Sequence, residues 1–222
     1  MGAVTRFSIA FTILATAAVL AGARAEPIDD SLRIYAVHIV QHPPQSWTGY
    51  GIYLGNGLVI TAAHVVGSAA RTKPDVRIAG LELPTQTIKE GSFDKEDLTL
   101  LGIDQSKLPI RLQMRRMPLC RKPSFVGESV IVAIPEGTVR SRIISPLKIP
   151  PNLHAGFSTA IEDVATTGNS GSGVFDAATK CLLGIMSRKF FNRDEAGNEH
   201  DIAKYFVPAG VIADFMPAKH RF

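Results

Sequence analysis

Thr167-Gly168-Asn169-Ser170-Gly171-Ser172-Gly173 is the stretch on which the reading of this chain turns. A serine that acts as a nucleophile needs its hydroxyl exposed at a sharp turn. It also needs backbone N–H groups aimed at one point, to hold the oxyanion that forms when it attacks a carbonyl. Glycines on both sides supply backbone freedom and keep side chains away from a substrate. Ser170 meets that demand. The same residues also make an ordinary Gly/Ser turn between strands, so the segment needs partners elsewhere before it means catalysis.

Upstream, Val59-Ile60-Thr61-Ala62-Ala63-His64-Val65-Val66 runs out of an apolar strand into small residues and then a histidine, which suits an imidazole held at the edge of a cleft. Histidine is the side chain suited to moving a proton near neutral pH, and so the expected general base for a serine hydroxyl. His38, His42, His154, His200 and His220 have no comparable setting and read as surface or packing residues. A carboxylate must orient the imidazole and stabilise its charged form, placed where a strand begins so that folding buries it. Asp97-Leu98-Thr99-Leu100-Leu101 has an acid opening an apolar strand, whereas Asp94 and Glu96 lie in a polar loop. Taken singly, a histidine after a strand is more often structural and an aspartate before one is usually a turn residue.

Together, T-A-A-H at Thr61–His64, D-L-x-L-L at Asp97–Leu101 and G-N-S-G at Gly168–Gly171, in the chain order His, Asp, Ser, resemble the chymotrypsin/trypsin-like serine protease superfamily. That resemblance implies an all-β fold of two six-stranded antiparallel β-barrels, with a short C-terminal helix. The first barrel would supply His64 and Asp97, the second Ser170, and the amides of Gly168 and Ser170 would form the oxyanion hole. It also implies a serine endopeptidase acting on polypeptides through an acyl-enzyme, with no metal or organic cofactor. G-N-S-G-S at Gly168–Ser172 is closer to bacterial secreted and periplasmic branches, HtrA-like proteases and glutamyl endopeptidases, than to digestive enzymes, which carry Asp before the nucleophile. No PDZ module is expected after the helix, and Met186 stands where the glutamyl endopeptidases place a pocket histidine.

By the same resemblance the specificity pocket has Val164 at its floor beside Ala165, Met186 and Ser187 on its wall, and Arg188 and Lys189 at its rim. Floor and wall carry no charge, so a substrate Lys or Arg would be buried without a counter-ion. Two alternatives stay open: a small or medium apolar residue, or an acidic one if the rim cations reach inward. The rival function is a protease-like binding protein whose triad is silent. An α/β-hydrolase fits poorly, because its order is Ser, acid, His and its strands alternate with helices.

Short apolar runs of four to eight residues cut by Gly, Pro, Asn and Asp predict many strands: 34–41, 49–54, 58–62, 75–79, 98–103, 129–134, 140–144, 173–175, 182–187 and 204–207. Pro43-Pro44 and Gly55-Asn56-Gly57 read as turns. A barrel over about 30–105, a poorly patterned connection over about 106–125, a second barrel over about 126–207 and a helix over 208–216 follow.

Residues 1–25 carry Arg6, the apolar run Phe7–Ala21 and the small-x-small sequence Ala23-Arg24-Ala25. This is the layout of a secretory signal peptide, with the mature chain starting at Glu26. The run is shorter than the roughly 20 residues a membrane-spanning helix needs. Export implies a secreted or periplasmic protein with no stable membrane anchor. The whole chain of 222 residues has 24 Lys+Arg against 20 Asp+Glu, and removal of Arg6 and Arg24 with the leader leaves +2. The cations are dispersed and nucleic-acid signatures are missing, so no polyanion partner is implied. Cys120 and Cys181 are an even count, and an oxidising compartment allows them to form a disulfide. The oligomeric state is not readable from the sequence.

Overall fold

A computed structural model of the chain describes residues 30–41, 49–68, 72–149, 151, 159–162, 170–194, 196–197 and 199–220. The leader and its cleavage site, and the Pro43-Pro44 turn, lie outside them.

After a 3₁₀ turn at Asp30–Tyr35, the first half holds β1 (Ala36–Val40), β2 (Gly49–Gly55), β3 (Leu58–Thr61), the single-turn helix α1 (Ala63–Val66), β4 (Asp75–Ile78), β5 (Leu81–Pro84), β6 (Gln86–Glu90) and β7 (Thr99–Gly102). They form one antiparallel sheet in the order β5-β4-β1-β2-β3-β7-β6. Strands β5 and β6 are the two edges of that sheet, yet only Thr85 separates them in sequence. One residue spans about 3.5 Å, so the sheet must curl until its edges meet at Thr85. The first half is thus a curled seven-stranded half-barrel, where six strands in a closed barrel were expected.

The second half holds β8 (Ser129–Ile134), β9 (Gly137–Ile144), β10 (Ala160–Glu162), β11 (Gly173–Asp176), β12 (Leu182–Arg193) and β13 (Glu199–Pro208). They close into a six-stranded barrel in the order β10-β13-β12-β11-β8-β9. Between the halves, a 3₁₀ turn at Gln105–Lys107 and the short helix α2 (Ile110–Gln113) lead to Met117, whose N–H donates to the Leu54 carbonyl, and to Cys120, whose N–H donates to that of Leu182. The helix α3 (Ala209–Phe215) follows β13 directly.

Alternation along the central strands explains how the halves join. Successive side chains of a strand point to opposite faces, and here both faces are buried. Tyr53, Val59 and Leu101 point into the core of the first half; Ile52, Leu54, Leu58, Ile60, Leu98 and Leu100 point the other way, into a shared core. The second barrel answers in kind: Val130, Val132, Val174 and Phe206 fill its interior, while Ile131, Ala133, Phe175 and Val207 meet the first half in the shared core. Ile212 and Phe215 of α3 close that core at one end. Burial of this apolar seam at about 25 cal/mol per Å² holds the two halves as one unit. Cys120 and Cys181 are joined by a disulfide across a sequence separation of 61. No described helix is long and apolar enough to cross a membrane.

Candidate active site

His64 is carried by α1, which begins where β3 ends. Ala63, Val65 and Val66 are buried, so one turn of helix leaves His64 on the outer face. The Gln41 side-chain amide donates to the Val65 carbonyl and ties this turn to β1.

Asp97 ends the loop after β6 and is wholly buried. Its backbone lies in the left-handed region at φ 47°, uncommon for a residue with a side chain. The Asp97 N–H donates to the Ser92 carbonyl at 2.9 Å, which closes the loop and holds that conformation. A buried carboxylate requires hydrogen-bond donors, and Asp97 has three. The His64 backbone N–H reaches Oδ1 at 3.1 Å, the His64 ring Nδ1 lies 2.9 Å from Oδ2, and the Ser187 hydroxyl also donates to Oδ2. With Nδ1 donating to the carboxylate, Nε2 is left with a lone pair. It lies 2.6 Å from Ser170 Oγ.

Ser170 is fixed by both halves of the molecule. Tyr50 on β2 donates its N–H to the Ser170 carbonyl at 2.9 Å. Gly171 donates to the Met186 carbonyl and Met186 to that of Ser172, each at 2.8 Å. Gly171 adopts φ 87°, and a Cβ there would lie 1.8 Å from the Tyr50 carbonyl oxygen, so only glycine fits between the serine turn and β2.

The structure therefore brings His64, Asp97 and Ser170, 33 and 106 residues apart along the chain, into one hydrogen-bonded line. Gly168, Val164 and Ala165 lie outside the described residues. Met186 is 1% exposed and packs inside the second barrel, and the Ser187 hydroxyl is turned onto Asp97. A register shift in the β12–β13 pairing between Met186 and Arg188 accompanies this change of facing. Arg188 reaches across the cleft to Phe93, its Nη2 donating to the Phe93 carbonyl, and Lys189 lies 5.4 Å from the Phe191 ring. Sequence reasoning missed Phe93, whose ring meets the His64 imidazole edge-on at 5.3 Å. A lone aromatic in the polar loop 91–96 was its only sign. The support from Ser187 had no local signal at all.

Away from the triad, Glu128 and Asp176 make a carboxylate pair. Burial pushes the Glu128 carboxyl up, against the opposing Phe125 N–H bond, and ionised Asp176 pushes it further. The Asp176 carboxyl resists its own burial through the N–H groups of Thr179 and Ala178 and falls below its ordinary value.

No protein-family model matches the chain, and no curated protein matches it. Solved structures do resemble it. Rv3671c protease from M. tuberculosis in its active form superposes with a TM-score of 0.61 at 17% identity, over 85% of this chain and 82% of that one. The MamO protease domain from Magnetospirillum magneticum gives 0.55 at 19% identity, over 84% and 97%. The serine endoprotease from Yersinia pestis gives 0.57 at 17% identity, over 82% and 61%. The fold is that of the chymotrypsin/trypsin-like serine proteases.

Proposed function

We propose that this chain is an exported serine endopeptidase with His64, Asp97 and Ser170 as its triad. The observation that carries the reading is the unbroken line from a fully buried carboxylate through one imidazole to one hydroxyl, at 2.9 and 2.6 Å. Its occurrence in the fold of proteins named as proteases supports peptides as the substrate class. The leader sequence and the Cys120–Cys181 disulfide support export to an oxidising compartment.

Ser170 Oγ attacks the carbonyl carbon of the scissile peptide bond as its proton passes to His64 Nε2. The carbonyl oxygen becomes an oxyanion, held by the backbone amides of Gly168 and Ser170. Asp97 holds the imidazolium so formed. That proton then goes to the departing amine as the C–N bond breaks, leaving an acyl ester on Ser170. Water, deprotonated by His64, attacks the ester, and the proton returns to Ser170 as the carboxylic acid leaves.

The test is labelling by a fluorophosphonate probe, which phosphonylates only an activated serine, together with hydrolysis of a peptide library. Labelling at Ser170 is expected, with activity falling about 10⁶-fold in Ser170→Ala and about 10⁴-fold in Asp97→Asn. A folded chain that takes no label and cuts no peptide is the silent protein instead.

A further inference from the structure

Arg188 stands beside the triad with no ion-pair partner among the described residues. Arg188, on β12 of the second barrel, turns its side chain across the cleft to the loop that precedes Asp97. Its Nη2 donates to the Phe93 carbonyl, and its guanidinium lies 3.9 Å over the Phe93 ring. That ring in turn meets His64 edge-on, at an interplanar angle of 78°. No described carboxylate forms an ion pair with Arg188, although Asp94 and Glu96 flank the loop. Among the described residues, its positive charge is held by a neutral carbonyl and an aromatic face.

Both partners are weaker than the one a guanidinium is built for. The guanidinium–carbonyl bond is already charge-assisted, but a carboxylate adds an opposite charge and a bidentate fit that a single carbonyl lacks. The guanidinium fork has five N–H donors in a fixed plane, and among the described residues it spends one of them, on Phe93. The other donors have no described partner and can pair with an approaching carboxylate. Phe93 is 44% exposed, so the ring forms an accessible apolar floor beside the fork.

We propose that the Arg188–Phe93 bridge is a specificity latch that selects peptides carrying Asp or Glu near the scissile bond. The acidic side chain takes the guanidinium over from the Phe93 carbonyl. This rests on the protease reading above, which puts the scissile bond at Ser170. Arg188 is separated from the Ser170 hydroxyl by the Phe93 ring and the His64 imidazole, and an extended peptide advances about 3.3 Å per residue. The selected residue therefore lies within about three positions of the bond. A Lys or Arg at the same position meets an unneutralised like charge and is disfavoured. The acidic preference left open by the sequence thus arises from a bridge between the two halves.

The experiment uses peptide pairs that differ only by Glu or Gln, with the substitution walked through three positions on each side of a cleavable bond. Affinities are measured on the Ser170→Ala chain by fluorescence anisotropy, and kcat/KM on the wild-type chain. At one position the Glu peptide is expected to be preferred about fivefold, as for a favourable exposed ion pair. The preference shrinks at 1 M salt, falls to a ratio of about one in Arg188→Ala, survives in part in Arg188→Lys, and reverses towards the Gln peptide in Arg188→Glu. Equal binding of Glu and Gln peptides at every position overturns the latch. So does a Glu/Gln ratio that Arg188→Ala leaves unchanged, because a mere structural brace alters both peptides alike. Fluorophosphonate labelling separates the two readings: a labelled Ser170 without acidic preference sinks the latch alone, and acidic preference in binding without labelling sinks catalysis alone.

Discussion

Adding one methyl group at Gly171 probes how tightly the Ser170 turn is bound to both halves of the molecule. A Cβ at this position would lie 1.8 Å from the Tyr50 carbonyl oxygen and 2.7 Å from Thr61 Oγ1. Neither atom is free to yield. The Thr61 hydroxyl donates to that carbonyl at 2.5 Å, and the Tyr50 N–H holds the Ser170 carbonyl. Gly171→Ala therefore brings left-handed strain of about 1–2 kcal/mol and overpacking of about 1–3 kcal/mol. The bonds from Tyr50 N–H to Ser170 and from Gly171 N–H to Met186 are put at risk, at about 1 kcal/mol each. A loss of roughly 4–7 kcal/mol is severe against the total of about 5–15 kcal/mol that a folded domain has. The turn escapes part of this by lifting away from β2, but that moves Ser170 Oγ off His64 Nε2, and a shift of about 1 Å at a reacting group lowers the rate by about 10². The assay is urea unfolding together with the second-order rate of fluorophosphonate labelling. A lowered midpoint, a labelling rate down about 100-fold, or both, are expected. Wild-type values of both would refute the packing argument for Gly171.

Ser187→Ala removes a hydrogen bond to a buried charge, about 1.5–3 kcal/mol, and should lower kcat about 10–100-fold with KM little changed; an unaltered kcat would show that Asp97 is held by His64 alone. Replacing both Cys120 and Cys181 by serine should lower stability by about 2–4 kcal/mol, read from the denaturant midpoint, and an unchanged midpoint is the contrary result. Glu128→Gln tests the buried carboxylate pair. Because its folded pKa is raised above the ordinary 4.5, the stability owed to protonated Glu128 is complete below that value and is lost as pH rises through the folded pKa. The glutamine variant should therefore match the wild type near pH 4 and melt higher at pH 7. An equal shift in Tm at both pH values would show that ionisation plays no part.

The strands whose side chains alternate between two apolar cores, such as β2, β3, β7 and β8, were legible because that burial writes long apolar runs. Strands β5 and β6 were not. Leu81-Glu82-Leu83-Pro84 and Gln86-Thr87-Ile88-Lys89-Glu90 are edge strands with mostly exposed side chains, so nothing in their composition separates them from loop. Strand β10, of 3 residues, is too short to carry a period. At the site, the line of His64, Asp97 and Ser170 follows the motifs. Where the side chains of Met186 and Ser187 point is set by a change of register in the pairing of β12, and no local pattern records it.

By itself the sequence determined which chemistry the chain can hold: a nucleophile set between glycines, a base after an apolar strand and an acid before one. These are local demands on backbone and side chain, so they leave local marks. Only the tertiary structure decided that Ser187 serves Asp97 and that Arg188 leaves its own barrel for Phe93. Both contacts join residues far apart along the chain, by 90 positions for Ser187–Asp97 and 95 for Arg188–Phe93. Each depends on how two sheets twist and meet along one shared core. A hydrogen bond across such a seam is specified by the packing of every residue behind it, and by no short stretch of sequence.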